Sequence, residues 1–131
     1  VSAGKGERSY HIFYQLCASP WAASLSLGDA NGYKYLASSG CVSVPSIDDT
    51  GDFDEVVTAL SAMGFAQEDT QWLFFLCSAI LHLGNVTFDI VPNSETGATS
   101  DGSIVSHGDA REHLHAVREL HRISIRGTEP F

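Results

Sequence analysis

Apolar residues recur at helical spacing in four stretches of the chain, and these stretches predict most of its architecture. From near Lys5 to Ala18, Tyr10, Phe13, Tyr14 and Cys17 fall three or four residues apart and share one helical face. Ile12 and Leu16 widen that face, which predicts a largely buried helix. Pro20 ends it, because the residue before a proline avoids helical ψ. A second helix is predicted over Asp52–Met63, with Phe53, Val56, Val57, Leu60 and Met63 inward. Asp52 with Glu55 fits a capping-box variant at its start, and Gly64 suits the left-handed position at its end.

The third helix is predicted over Gln67–Leu83, with Glu68 and Asp69 favouring the positive end of its dipole. Its segment WLFFLCSAILHL is apolar almost all round, the pattern of a helix covered on several sides. Leu76 and Ile80 lie one turn apart and align with Trp72 and Leu83, so they are expected on its best-packed side. Gly84 and Asn85 are expected to stop it. A last helix, Asp109–Ile123, carries Ala110, Leu114, Val117 and Leu120 inward and places His113 and His115 on a solvated surface.

The connecting segments read differently. Ser24–Asn31 is polar, Tyr33, Tyr35 and Leu36 anchor a short turn, and Cys41, Val42 and Val44 suit a short extended piece. Pro45 confines any strand there to an edge. NVTFDIV alternates as a strand with Val86, Phe88 and Ile90 on one face. Asn93–Gly108, rich in Ser, Gly, Thr and Asp, reads as a surface loop. The expected fold is mainly α, irregular, with one or two short β-strands and no internal repeat. Its 131 residues suit a single domain.

Charge removes some functions. The net charge is −9, and four of the seven basic residues lie between Arg111 and Arg126, which argues against nucleic-acid binding. Cys17, Cys41 and Cys77 are odd in number and lack C-x-x-C spacing, so they are expected to be reduced thiols of a cytoplasmic protein. Val1–Arg8 carries no apolar stretch of the kind a signal peptide needs, and Trp72–Leu83 is too short to span a bilayer.

Candidate chemistry is sparse. No G-x-x-x-x-G-K-[ST] phosphate loop is present, and Gly4-Lys5-Gly6 reads as a terminal turn. Asp48, Asp49, Asp52, Asp54 and Glu55 cluster, but a calcium loop starting at Asp48 or Asp49 would place Phe53 or Asp54 where glycine is required, so a solvated helix start is expected. His113 and His115 diverge on a helix, and His113 and His121 lie two turns apart. His11 and His82, inside apolar helices, are expected to be hydrogen-bonded structural residues. No zinc spacing is present. Cys41 after Ser38-Ser39-Gly40 has no base that the sequence brings to it. Asn85-Val86-Thr87 has the form of a glycosylation sequon and is expected to be idle behind a buried helix. No catalytic, cofactor-binding or metal-ligating residue is assigned.

The first and third helices show more apolar surface than so small a chain covers by itself. Such a surface is either an ordinary core or the exposed interior of a larger body.

Four strings favour the larger body. GERSYHIFYQL resembles the H-I-F-Y-Q-L segment of myosin motor domains. YKYLASSGC, IDDTGDFDEVVTALSAMGF and ILHLGNVTF resemble further strings of that family, in its order and near its spacing. The resemblance is strong over residues 1–90, weaker over 91–122 and absent over 123–131. It implies a fragment of the upper fifty-kilodalton subdomain of a motor with the myosin P-loop fold. The intact motor would be an actin-activated Mg-ATPase, cytoplasmic and associated with the cytoskeleton. Its P-loop and switch I would lie before Val1 and its switch II after Phe131, so this chain alone is expected to be inactive. Its partners would be the rest of the motor and, through that motor, actin filaments, with no nucleic acid and no membrane insertion. The alternatives are a self-standing helical interaction module without ATPase activity and, with least support, a metal-binding regulatory domain.

Overall fold

A computed structural model describes residues 3–92 and 99–126. Five helices and one hairpin make up the described chain. The order is α1 (His11–Ala18), a 3-10 turn (Ala30–Gly32), α2 (Lys34–Ala37), α3 (Asp49–Ala62), α4 (Gln67–Asn85), β1 (Phe88–Pro92), β2 (Thr99–Val105) and α5 (Asp109–Arg126). The fold is therefore mainly helical with one two-stranded antiparallel sheet, as the sequence predicts.

The core forms where α1, α3 and α4 meet the turn before α2. Phe74 lies at its centre, edge-on to Trp21 at 5.5 Å and tilted against Phe53 at 5.1 Å. Leu16, Leu25, Leu36 and Leu81 complete it, each essentially without exposure. Leu25 and Leu27 come from the polar Ser24–Asn31 stretch, which curls under α4 and supplies two core residues.

Several boundaries differ from expectation, each for a local reason. α1 begins at His11, because Gly6 takes φ +78° and its N–H bonds the Ser39 carbonyl at 2.8 Å, which diverts the chain from helix. Tyr10 therefore precedes the helix and is exposed. α3 begins at Asp49, because Asp48 is the cap: its carboxylate accepts from the Gly51 N–H at 3.2 Å. The expected Asp52–Glu55 box is thus already helical.

α4 continues through Gly84 and Asn85, where a buried side-chain network holds Asn85. The Cys41–Val44 segment forms no strand; it leads into a turn closed by the Ile47 N–H on the Val44 carbonyl at 3.0 Å. The expected 93–108 loop contains β2, which pairs with β1 in the register Phe88↔Val105, Asp89↔Ile104 and Ile90↔Ser103. What the sequence predicts for Val1, Ser2, 93–98 and 127–131 lies outside the described residues.

The largest correction concerns α4. Trp72, Leu76, Ile80 and Leu83 are 56%, 46%, 46% and 51% exposed, so the side expected to be best packed is open in this chain, in line with the expectation that the third helix shows more apolar surface than so small a chain covers by itself. The buried side carries Thr70, Phe74, Ser78, Leu81, His82 and Asn85. Of its four polar residues, Thr70 bonds the Ala66 carbonyl at the start of the helix, and Ser78, His82 and Asn85 point inward because bonding partners from elsewhere in the chain meet them there. On α5, Ala110 and Leu120 are buried as expected, while Leu114 is exposed.

Candidate functional site

Ser78, His82 and Asn85 are spaced four and three residues apart, so α4 lines them up on one face. The Ser78 hydroxyl donates to the Leu25 carbonyl at 2.7 Å. Asn85 ties three segments together: its Oδ1 accepts from the Lys34 N–H at 2.8 Å, and its Nδ2 bonds the Gly32 carbonyl at 2.6 Å and His113 Nε2 at 2.9 Å. His82 Nδ1 meets His113 Nδ1 at 2.9 Å. The Tyr33 ring stands 5.6 Å from His82 and 6.1 Å from His113, and its hydroxyl accepts from the Gly28 N–H at 3.0 Å.

This network opens on one side into a cleft of about 440 Å³. Lys34, Asn85, Thr87, His107, Asp109 and His113 line it, with Gly32, Gly108 and Ala110. His113 was expected on a solvated surface; it is instead half-buried and bonded on both ring nitrogens. His82 is buried and hydrogen-bonded, as expected for a structural histidine. His11 and His115 are exposed, so His11, at the first position of α1, does not sit inside an apolar helix as expected of a structural histidine. Asn85 spends its amide inside the network and is buried.

A second polar cluster lies at the first helix. The Arg8 guanidinium sits 3.9 Å over the Tyr14 ring and donates through Nη2 to both Asp49 oxygens, at 2.7 and 2.8 Å. The Tyr14 hydroxyl accepts from the Ser9 N–H at 3.0 Å. The acidic cluster is thereby divided: Asp48 caps α3, Asp49 holds Arg8, and Asp54 and Glu55 face solvent. Among the described residues, no three His, Cys, Asp or Glu side chains converge on one point.

Burial controls the resolved acid–base shifts in the core. It pushes the Cys17 thiol up to about 12, with Asp29 and Asp49 adding to the effect, and it raises Cys77 and Tyr33. Burial also lowers His82, and His113 lowers it further. A raised thiol is a poorer nucleophile. The arrangement therefore locks helices together and leaves Cys17 and Cys77 less reactive than free thiols.

Sequence reasoning missed the link from His82 through His113 to Asn85. Its one local signal was the row of Ser78, His82 and Asn85 in an otherwise apolar helix. Arg8–Asp49 left no such signal, since 41 positions separate the partners.

No helix among the described residues is long and apolar enough to cross a membrane. The family profile of the myosin head (motor domain) matches residues 1–117. Arabidopsis thaliana Myosin-1 is 44% identical over 96 residues, covering 71% of this chain and 8% of the relative. Dictyostelium discoideum Myosin IE heavy chain is 39% identical over 104 residues, covering 76% of this chain and 10% of the relative. Human unconventional myosin-XV is 39% identical over 132 residues, covering 98% of this chain and 4% of the relative. The chain thus spans a tenth or less of the length of these relatives. The match over residues 1–117 and these identities establish that the chain belongs to the myosin head (motor domain) family.

Proposed function

We propose that this chain is a packing element of the upper fifty-kilodalton subdomain of an actin-based, ATP-driven myosin motor. The reading rests chiefly on the open side of α4. Trp72, Leu76, Ile80 and Leu83 fall within one helical stripe and are each about half exposed. Fully covering an exposed large apolar side chain contributes about 1.5–3 kcal/mol, so four half-covered ones still favour a partner surface. The chain spans a tenth or less of its relatives, and the remainder of such a motor is the surface that would cover the stripe.

On this reading the buried polar networks hold α1, α3, α4 and α5 in the shape the motor needs. Mg-ATP binding and actin binding belong to the intact motor, which would be cytoplasmic and cytoskeletal. The chain supplies packing and no phosphate-handling residue: no G-x-x-x-x-G-K-[ST] loop occurs in it.

A chimeric motor tests this. Residues 1–117 replace the matching segment of a relative's motor domain. The chimera is expected to fold and to retain actin-activated Mg-ATPase activity, while the 131-residue chain alone shows no turnover above a denatured control. A folded chimera without activity, or ATP turnover by the chain alone, would overturn the reading.

A further inference from the structure

His82 on α4 and His113 on α5 face each other through Nδ1 at 2.9 Å. Two ring nitrogens at that distance share one proton, because two lone pairs or two N–H groups would repel. The surrounding bonds fix which ring carries it. The Lys34 N–H makes Asn85 Oδ1 the acceptor, so Asn85 Nδ2 is the donor, to Gly32 and to His113 Nε2. His113 therefore presents a lone pair at Nε2 and a proton at Nδ1. His82 accepts at Nδ1 and carries its own proton at Nε2. That nitrogen is buried without a hydrogen-bond partner among the described residues. The three bonds are satisfied together when both imidazoles are neutral, each in one tautomer.

We propose that this pair is a proton-operated latch, which holds α5 on α4 while both rings are neutral and releases it when either takes up a proton. A proton added to His82 Nδ1 meets the His113 Nδ1–H. A proton added to His113 Nε2 meets the Asn85 amide protons. In both cases donor faces donor, and a buried hydrogen bond becomes a repulsion.

The titratable and charged groups around the pair act in both directions, Asp109 favouring an imidazolium and Lys34 opposing one. The Tyr33 hydroxyl is engaged with Gly28. The Lys34 ammonium, 3.5 Å from the Asn85 carbonyl, opposes a second cation. His107 and Asp109 line the cleft beside His113, and Asp109 is an exposed carboxylate in the first turn of α5. Burial and the facing ring hold His82 below its ordinary value of 6.5 while α5 is docked. The released ring binds protons more tightly than the docked one, so docking is intact above about pH 7 and weakens as pH falls through the ordinary histidine range.

The 131-residue chain, labelled with 15N in its histidines, gives the test by nuclear magnetic resonance. At pH 7.5, His113 is expected as the Nδ1–H tautomer and His82 as the Nε2–H tautomer. Between about pH 7.5 and 5.5, amide protection factors in α5 are expected to fall at least tenfold relative to those in α3, since linkage gives about tenfold per pH unit for each proton taken up. His113→Gln keeps one donor and one acceptor but does not titrate, so its α5 protection should be flat with pH. The latch is overturned if either ring is an imidazolium at pH 7.5, if wild-type α5 protection stays within about twofold over that range, or if His113→Gln keeps the wild-type pH dependence. Should His113→Gln fail to dock α5 at any pH, the wild-type tautomers and protection profile decide the matter alone.

Discussion

Ser78 is completely buried on α4, while Leu76, two residues earlier on the same helix, is 46% exposed. The hydroxyl is inside because the Leu25 carbonyl meets it there, and the leucine is outside because no described residue covers it. This relationship sets the first prediction. In the isolated chain, Leu76→Ala should change stability by less than about 0.5 kcal/mol, as for an ordinary surface change. Phe74→Ala, at the centre of the core, should cost about 3–5 kcal/mol through lost burial and a cavity. Inside an assembled motor, Leu76→Ala should rise to about 2–5 kcal/mol. Urea unfolding of both substitutions in both settings checks this. A Leu76→Ala cost that is the same in the two settings would remove the case for a covered stripe.

The helices were legible because spacing of three and four survives any environment. Direction was less so. A segment as apolar as WLFFLCSAILHL has no clear polar side, and periodicity alone could not say which face turns inward. The inward face was marked by Ser78, His82 and Asn85, but polarity argues for burial only when partners are known. Those partners are Leu25, His113 and Gly32, 53, 31 and 53 positions away. β2 was hidden for a related reason: its sequence TSDGSIV has the composition of a loop, and pairing with β1 makes it a strand. The start of α3 lies among several acids, of which spacing singled out Asp52. Arg8 occupies Asp49, which leaves Asp48 to cap.

Arg8 gives the second prediction. Its side chain is 4% exposed, and its contacted carboxylate on Asp49 is 20% exposed. Nε and Nη1 are buried without hydrogen-bond partners, so Asp49 alone among the described side chains bonds the guanidinium. Asp49→Ala strands a buried cation and should cost about 3–5 kcal/mol. Replacing both residues, Arg8→Met with Asp49→Leu, should recover most of that loss, because no charge is then left unpaired. A double-mutant cycle in urea measures the coupling. An Asp49→Ala cost below about 1 kcal/mol, the value of an exposed pair, would contradict it.

Cys17 gives the third. Burial first, then Asp29 and Asp49, push its thiol up to about 12 from 9.0. At pH 8 the native thiolate fraction is then about one in ten thousand, roughly a thousandfold below that of the unfolded chain. Iodoacetamide at pH 8 should therefore alkylate Cys17 in urea and leave it largely unmodified in the native chain, as read by peptide mass mapping. The same shift has a consequence for stability. The folded value lies above the unfolded one, so the contribution is complete below about pH 9 and is lost as pH rises toward 12. Rapid native alkylation at pH 8 would mean that the thiol is not held in this environment.

The last prediction concerns Gly64, which ends α3. Its N–H bonds the Ser61 carbonyl at 3.0 Å, and the Phe65 N–H bonds the Leu60 carbonyl at 3.1 Å. This paired pattern closes the helix and requires left-handed backbone at the glycine, where φ is +89°. A Cβ built at Gly64 would meet no atom within 4 Å, so packing does not explain the residue. Conformation does: Gly64→Ala should cost about 1–2 kcal/mol, the penalty of a side chain in the left-handed region. Gly28 provides the control, since a Cβ there also meets nothing within 4 Å and its φ is not in that region. Gly28→Ala should be neutral, or stabilising by about 0.4–1 kcal/mol through a less flexible unfolded chain. Thermal melts should place Gly64→Ala below the parent and Gly28→Ala at or above it. Equal shifts would show that backbone sign at residue 64 is not what the helix end depends on.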